Sequence, residues 1–179
     1  MTTKFLLPAF TALLGLSSAA HAAGSAPPQL LNKTIAVSWT VQNTVVAPNG
    51  QVMTPTFGVN RLIYVSAAGR FFVKFSVRSA RGGSDHDIEP GAKTPAGGAR
   101  DLHFEDGKIV GTAVNKVGAG RMTISFDPGF SSCTVAVLLG RAGDGPVMRS
   151  GPRGGMVEIQ SQAVSGQSCS IRDGNAVAE

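Results

Sequence analysis

Long apolar runs are almost missing from this chain. The one exception, FLLPAFTALLGL at residues 5–16, follows Lys4 and leads into SSAAHA, which ends in the small-x-small triplet Ala20-His21-Ala22. A spanning helix needs roughly 20 apolar residues, so this run is too short, and its flanks are those of a secretory leader cut after Ala22 or Ala23. Residues 1–22 are therefore expected to be a signal peptide and residues 23–179 a single β domain without a membrane span. The expected location is exported, periplasmic or extracellular. A twin-arginine pair is absent as well, which favours the general export route over export in the folded state.

Basic runs are also scarce. No stretch of five or more lysines and arginines occurs, so the sequence carries no footprint of specific nucleic-acid binding. The net charge is +5, falling to +4 once Lys4 leaves with the leader. A mildly basic exported protein can adhere to acidic polysaccharide or lipid headgroups.

Only two cysteines are present, Cys133 and Cys169, with no CxxC pair and no zinc-ligand set. An even count in an oxidising compartment predicts one disulfide, worth about 3–4 kcal/mol by loop-closure entropy before strain.

Histidines outside the leader number two, His86 and His103, which leaves little for a transition metal. SDHDIEPG does gather Asp85, His86, Asp87 and Glu89, but lacks the longer acidic spacing and closing Glu of a calcium loop. It reads as a solvated acidic loop tip, and no metal or cofactor is expected. Serine chemistry fares no better. GQSCS is not a Gly-x-Ser-x-Gly elbow, and GPRGGM lacks the Lys-Ser/Thr end of a phosphate loop. His103 falls on the polar face between Asp101 and Glu105, which could raise its basicity, but a lone surface histidine between acids is ordinary. No catalytic residue is assigned.

What is there in quantity is alternation. Helical periodicity is nearly absent and period two dominates. In TIAVSWTV (34–41), Ile35, Val37, Trp39 and Val41 share the face expected to point inward, and Thr34, Ala36, Ser38 and Thr40 the other. RLIYVSAAGRFFVKFSVRS (61–79) predicts a hairpin through Ala67–Gly69, with Ile63 opposite Val73 and Val65 opposite Phe71. Its inner face would carry Ile63, Val65, Phe71, Val73 and Phe75. The outer face would carry Leu62, Tyr64, Arg70, Phe72 and Lys74.

DLHFEDGKIVGTAV (101–114) predicts a second hairpin at Asp106-Gly107, with Glu105 facing Lys108 and Phe104 facing Ile109. RMTISFDPGFSSCTVAVLLG (121–140) predicts a third. There Pro128-Gly129 should form a type II bend with Gly129 at positive φ, Phe126 near Cys133, and Cys133, Val135, Val137 and Leu139 inward. A last pair, 156–164 and 167–172, is expected to turn at Ser165-Gly166 and bring Cys169 and Ile171 to one face. Three longer connections, 42–57, 79–99 and 140–155, interrupt the rhythm and are the places where function or disorder concentrates.

The fold expected is all-β, an antiparallel up-and-down meander of eight or nine strands closed as a small barrel, with a two-sheet β-sandwich as the alternative. GAGRMTISFDPGFSSCTVAVLLG with GQSCSIRDGNAVA resembles a small group of exported two-cysteine proteins of rhizobial bacteria, over most of the mature chain. That resemblance implies export and the two-cysteine design and no activity. At the level of fold a barrel also resembles lipocalins and other calycins, although AVS stands before Trp39 where lipocalins carry Gly-x-Trp.

The function expected is an exported, non-catalytic binding or interaction module. A small apolar ligand in a barrel cavity would meet Trp39, Ile63, Phe71, Phe75 and Phe104. An acidic envelope polysaccharide would instead meet the surface patch of Tyr64, Phe72, Arg70 and Lys74, where aromatic planes lie beside cations. The rival classes are a cell-envelope hydrolase and a structural envelope component.

Overall fold

The computed structural model describes residues 26–80, 82–88, 100–115, 118–140, 147–150 and 155–178. The expected leader, residues 1–22, lies outside them. Eleven strands are described: β1 (Lys33–Val46), β2 (Val52–Met53), β3 (Thr56–Val65), β4 (Phe71–Ser79), β5 (Gly82–Ile88), β6 (Arg100–Glu105), β7 (Lys108–Asn115), β8 (Gly118–Phe126), β9 (Cys133–Gly140), β10 (Val147–Ser150) and β11 (Met156–Asp173). The number exceeds the eight or nine expected because β2, β5 and β10 form inside the three segments read as connections. The acidic run Asp85–Asp87 is accordingly strand, in register with Lys74–Ser76 of β4, and not a loop tip. Glu89 lies outside the described residues.

All pairings are antiparallel, and they make two sheets. The first, sheet A, runs β10-β11-β1-β3-β4-β5, with β2 also on β1; the second, sheet B, runs β6-β7-β8-β9. The strands follow one another in the order a closed meander would have, but among the described residues no ladder joins β5 to β6 or β9 to β11. The closed barrel is therefore not formed, and the two-sheet sandwich fits instead. One seam is closed covalently: Cys133 of β9 and Cys169 of β11 form the expected disulfide, with Cα atoms 5.5 Å apart.

The interior follows the alternation. Ile35, Val37, Trp39 and Val41 of β1 meet Val59, Ile63 and Val65 of β3, and pack on Phe104, Ile109, Met122, Ile124, Val135 and Val137 of sheet B. Leu30, in the 3-10 turn Pro28–Leu30, is fully buried in the same cluster. Farther along β1, Asn43 interrupts the stripe. It is 2% exposed and its Oδ1 accepts a bond from Gln162 Nε2 at 3.0 Å, which offsets the cost of burying an amide. Beyond it Val45, Val157 and Ile159 form a second, smaller cluster with Met53.

Hairpin registers follow turn chemistry as expected. Ile63 pairs with Val73, Tyr64 with Phe72, and Val65 with Phe71; Glu105 pairs with Lys108 and Phe104 with Ile109; Phe126 pairs with Cys133. Asp106 and Gly107 both have positive φ, 49° and 73°, as a two-residue type I′ turn requires.

Three local expectations are corrected. At the third hairpin the positive φ falls on Phe130 (55°), not Gly129. Phe130 N–H donates to Asp127 O, and the Asp127 carboxylate accepts from the backbone of Gly129, Ser131 and Ser132, so the side chain of Asp127 organises the bend. Phe130 then folds back to pack 5.4 Å, ring to ring, from Phe126.

Ser165-Gly166 is likewise not a hairpin turn but lies within the continuous strand β11. Ser38 pairs with Ser168 and Thr40 with Ser165, so two residues, Gly166 and Gln167, stand opposite Trp39. Gly166 at φ 60° is the left-handed first residue of a β-bulge. A second shift, between Ser161 and Ile159, sets Gln160 outside the ladder. Each bulge reverses the side-chain parity, which is how Ile159, Val164 and Cys169 can all pair with inward residues of β1, namely Val45, Val41 and Val37. On its other edge β11 pairs with β10 at Met156–Ile159.

Thr34 is the third. Expected on the solvent face, it is 0% exposed, because residues 174–176 fold over it. Its hydroxyl donates to Gly174 O at 2.6 Å and accepts from Ala176 N–H at 3.0 Å.

Candidate functional site

Of the residues singled out for ligand contact, one set lies on the outer face of sheet A and the other points between the sheets, Trp39, Ile63, Phe71 and Phe75 from sheet A and Phe104 from sheet B. The outer set is assembled by the first hairpin. Gly69 at φ 72° lets the chain reverse, Ser66 and Arg70 close the loop backbone to backbone, and Ser66 Oγ accepts from Arg70 N–H at 3.1 Å. That register puts Tyr64 beside Phe72, with ring centroids 6.3 Å apart and tilted by 37°. The Arg70 guanidinium lies over Phe72 at 5.9 Å, and the Tyr64 hydroxyl donates to Asn32 Oδ1 at 3.2 Å.

Phe72 is 36% exposed, an aromatic face open to solvent beside a cation. Lys74 follows on the same side of β4, in register with Leu62 of β3 and Asp87 of β5. All four residues of the expected patch are thus brought together. Farther across the sheet the Ser38 and Ser168 hydroxyls are hydrogen bonded at 2.7 Å between β1 and β11.

In the inner set, Ile63 (0% exposed) and Phe104 (5%) lie in the packed core, and Phe71 stacks on Phe104 at 4.9 Å. These three fill space between the sheets. Trp39 and Phe75 belong to the same core and also flank a residue that sequence reasoning missed. Arg61 lies on the inward side of β3, between Val59 and Ile63, and is half-buried. Its guanidinium lies over the Trp39 ring at 5.3 Å and the Phe75 ring at 5.1 Å, and Nη1 reaches Met122 Sδ of the opposite sheet at 4.0 Å. The signal was present: in VNRLIYV (59–65) the arginine holds the same parity as Val59, Ile63 and Val65.

His103 is on the outer face of sheet B. Its Nε2 is 3.8 Å from Glu105 Oε2, which also accepts from Arg121 Nη2 at 3.3 Å. By register this ion pair crosses from β6 to β8 directly above Val110, which is only 3% exposed. The group covers an outward apolar residue. Both cysteines are in the disulfide, so neither is a thiol nucleophile.

No known family model, curated protein or solved structure matches this chain. Two further facts bear on location: the disulfide is compatible with export, and among the described residues no helix is long and apolar enough to cross a membrane.

Proposed function

We propose that the chain is an exported, non-catalytic binding module that takes an acidic envelope polysaccharide on the outer face of sheet A. The observation that carries this reading is the solvent-open Phe72 ring, with Tyr64 on one side and the Arg70 guanidinium above it. An aromatic plane offers a stacking surface to the C–H face of a sugar ring, and Arg70 and Lys74 offer charge to its carboxylates. Rigid strand placement of these groups keeps the ordering cost of binding low.

Affinity electrophoresis through gels containing alginate, with neutral dextran as the comparison, tests the reading. Retardation by alginate is expected at low salt and should fall at about 0.5 M NaCl, where the Debye length is only a few ångströms. Phe72→Ala is expected to weaken it roughly 3- to 10-fold, the worth of one aromatic contact. Unchanged migration of that variant overturns the proposal.

A further inference from the structure

We propose that Asn49 is a site of spontaneous covalent modification, where the side chain closes onto the Gly50 amide and is converted to aspartate or isoaspartate in the folded protein. Of the asparagines in the chain, Asn49 alone is followed by glycine. Ala47 N–H donates to Gln51 O and Gly50 N–H to Ala47 O, each at 2.9 Å, so Pro48, Asn49 and Gly50 form the exposed loop that joins β1 to β2. Gly50 takes the left-handed φ of 79° with which such a loop closes.

Three features favour ring closure. Asn49 Oδ1 accepts from Gln51 N–H at 3.1 Å, which folds the side-chain carbonyl back along its own backbone and draws electrons from Cγ. No Cβ shields the Gly50 nitrogen, and the space that a Cβ would take has no neighbour within 4 Å. Both residues are exposed, so hydroxide and water reach them. Hydroxide removes the Gly50 amide proton and with it the bond to Ala47 O. The nitrogen attacks Cγ, a C–N bond forms, the Cγ–Nδ2 bond breaks, and the departing nitrogen takes a proton from water to leave as ammonia. Water then opens the cyclic imide at either carbonyl, giving a carboxylate on a normal or a lengthened backbone.

Asn175 is the internal comparison. It too is exposed, and its Oδ1 accepts from Val177 N–H at the same 3.1 Å. Ala176 follows it, however, with a Cβ beside the nitrogen and an N–H held by Thr34 Oγ1 at 3.0 Å. The local turn is shared; the glycine is not. Conversion at Asn49 adds one negative charge, and the isoaspartate route adds an atom to the backbone of the loop that sets Val52 and Met53 against Val46 and Val45.

The full chain, folded, is incubated at mildly alkaline and at mildly acidic pH, digested in weak acid, and its peptides separated and weighed. The mass gain of an amide-to-acid exchange is expected at Asn49, split between two chromatographic peaks and faster in alkali. It should grow at least roughly tenfold faster than any gain at Asn175, where a Cβ crowds the attacking nitrogen. Asn49→Gln, which would need a larger ring, should show no such gain while its far-UV circular dichroism matches the wild type. Equal rates at the two asparagines, no gain at either, or conversion only after unfolding in urea overturns the inference; the last would mean that the Gly50–Ala47 bond locks the loop. Asn49 lies beyond the end of β1 opposite Thr34, the residue in register with Tyr64, so none of these results bears on the outer patch.

Discussion

Cys133 and Cys169 join β9 to β11 at a seam where the two strands run close without sharing a ladder, their Cα atoms 5.5 Å apart and 36 positions apart in sequence. The bond is thus the covalent part of one wall of the sandwich. Replacing both cysteines by serine should lower the unfolding free energy by about 3–4 kcal/mol, the entropy of closing a loop of that length. Urea titration under non-reducing conditions checks this; a loss below about 1 kcal/mol would mean that packing across the seam holds it without the bond.

Asp127 should make the third hairpin sensitive to acid. Its carboxyl is held down from the ordinary 3.8 to about 2, chiefly by the Ser132 N–H, against the opposing effect of desolvation, with further help from the Ser131 hydroxyl and the N–H groups of Ser131 and Gly129. Because the folded value lies below the unfolded one, the stabilisation is fully present above pH 3.8 and is lost as pH falls toward about 2. Unfolding of the wild type and of Asp127→Asn, compared at pH 5 and pH 2.5, should show a steeper acid loss in the wild type. Equal slopes would remove Asp127 from the acid response.

Gly166 should resist substitution. Its φ of 60° is the left-handed conformation that costs an L-residue roughly 1–2 kcal/mol. Gly166→Val is expected to lose about that much in urea unfolding. Gly140→Ala is the control: a Cβ there meets nothing within 4 Å and the backbone is ordinary, so it should be neutral or slightly stabilising.

Inward and outward positions should separate cleanly on truncation. Ile63, 0% exposed on the inward side of β3, should cost about 2–5 kcal/mol as Ile63→Ala. Leu138, 69% exposed on the outer side of β9, should change stability by no more than about 0.5 kcal/mol as Leu138→Ala. Chemical denaturation of the two variants reads both values.

The outer patch was legible almost in full from the residues alone. A tight turn counts residues, and a strand alternates, so once the turn near Gly69 is placed the meeting of Tyr64 with Phe72 follows. The same reasoning reached Phe104 with Ile109, and Phe126 with Cys133. It failed at Pro128-Gly129, where Pro-Gly satisfies more than one turn type and the Asp127 side chain, bonding to Ser131 and Ser132, selects the other. It failed again along β11, where the change of parity between Val164 and Cys169 has two solutions, a hairpin or a bulge. Only the neighbouring β1, pairing with both halves, selects the bulge.

By itself, then, the sequence determined the all-β character, the inward stripe of β1, the registers of three hairpins and the union of its two cysteines. Each of these rests on period two, on turn geometry or on the chemistry of a thiol pair. The tertiary structure decided that the meander stays open as two sheets, that β11 is one bulged strand, and that Arg61 stands among Trp39, Phe75 and Met122. Those outcomes depend on which strands meet across long separations: Arg61 of β3 reaches Trp39, Phe75 and, across the sandwich, Met122, a meeting that no stretch of any one strand carries alone.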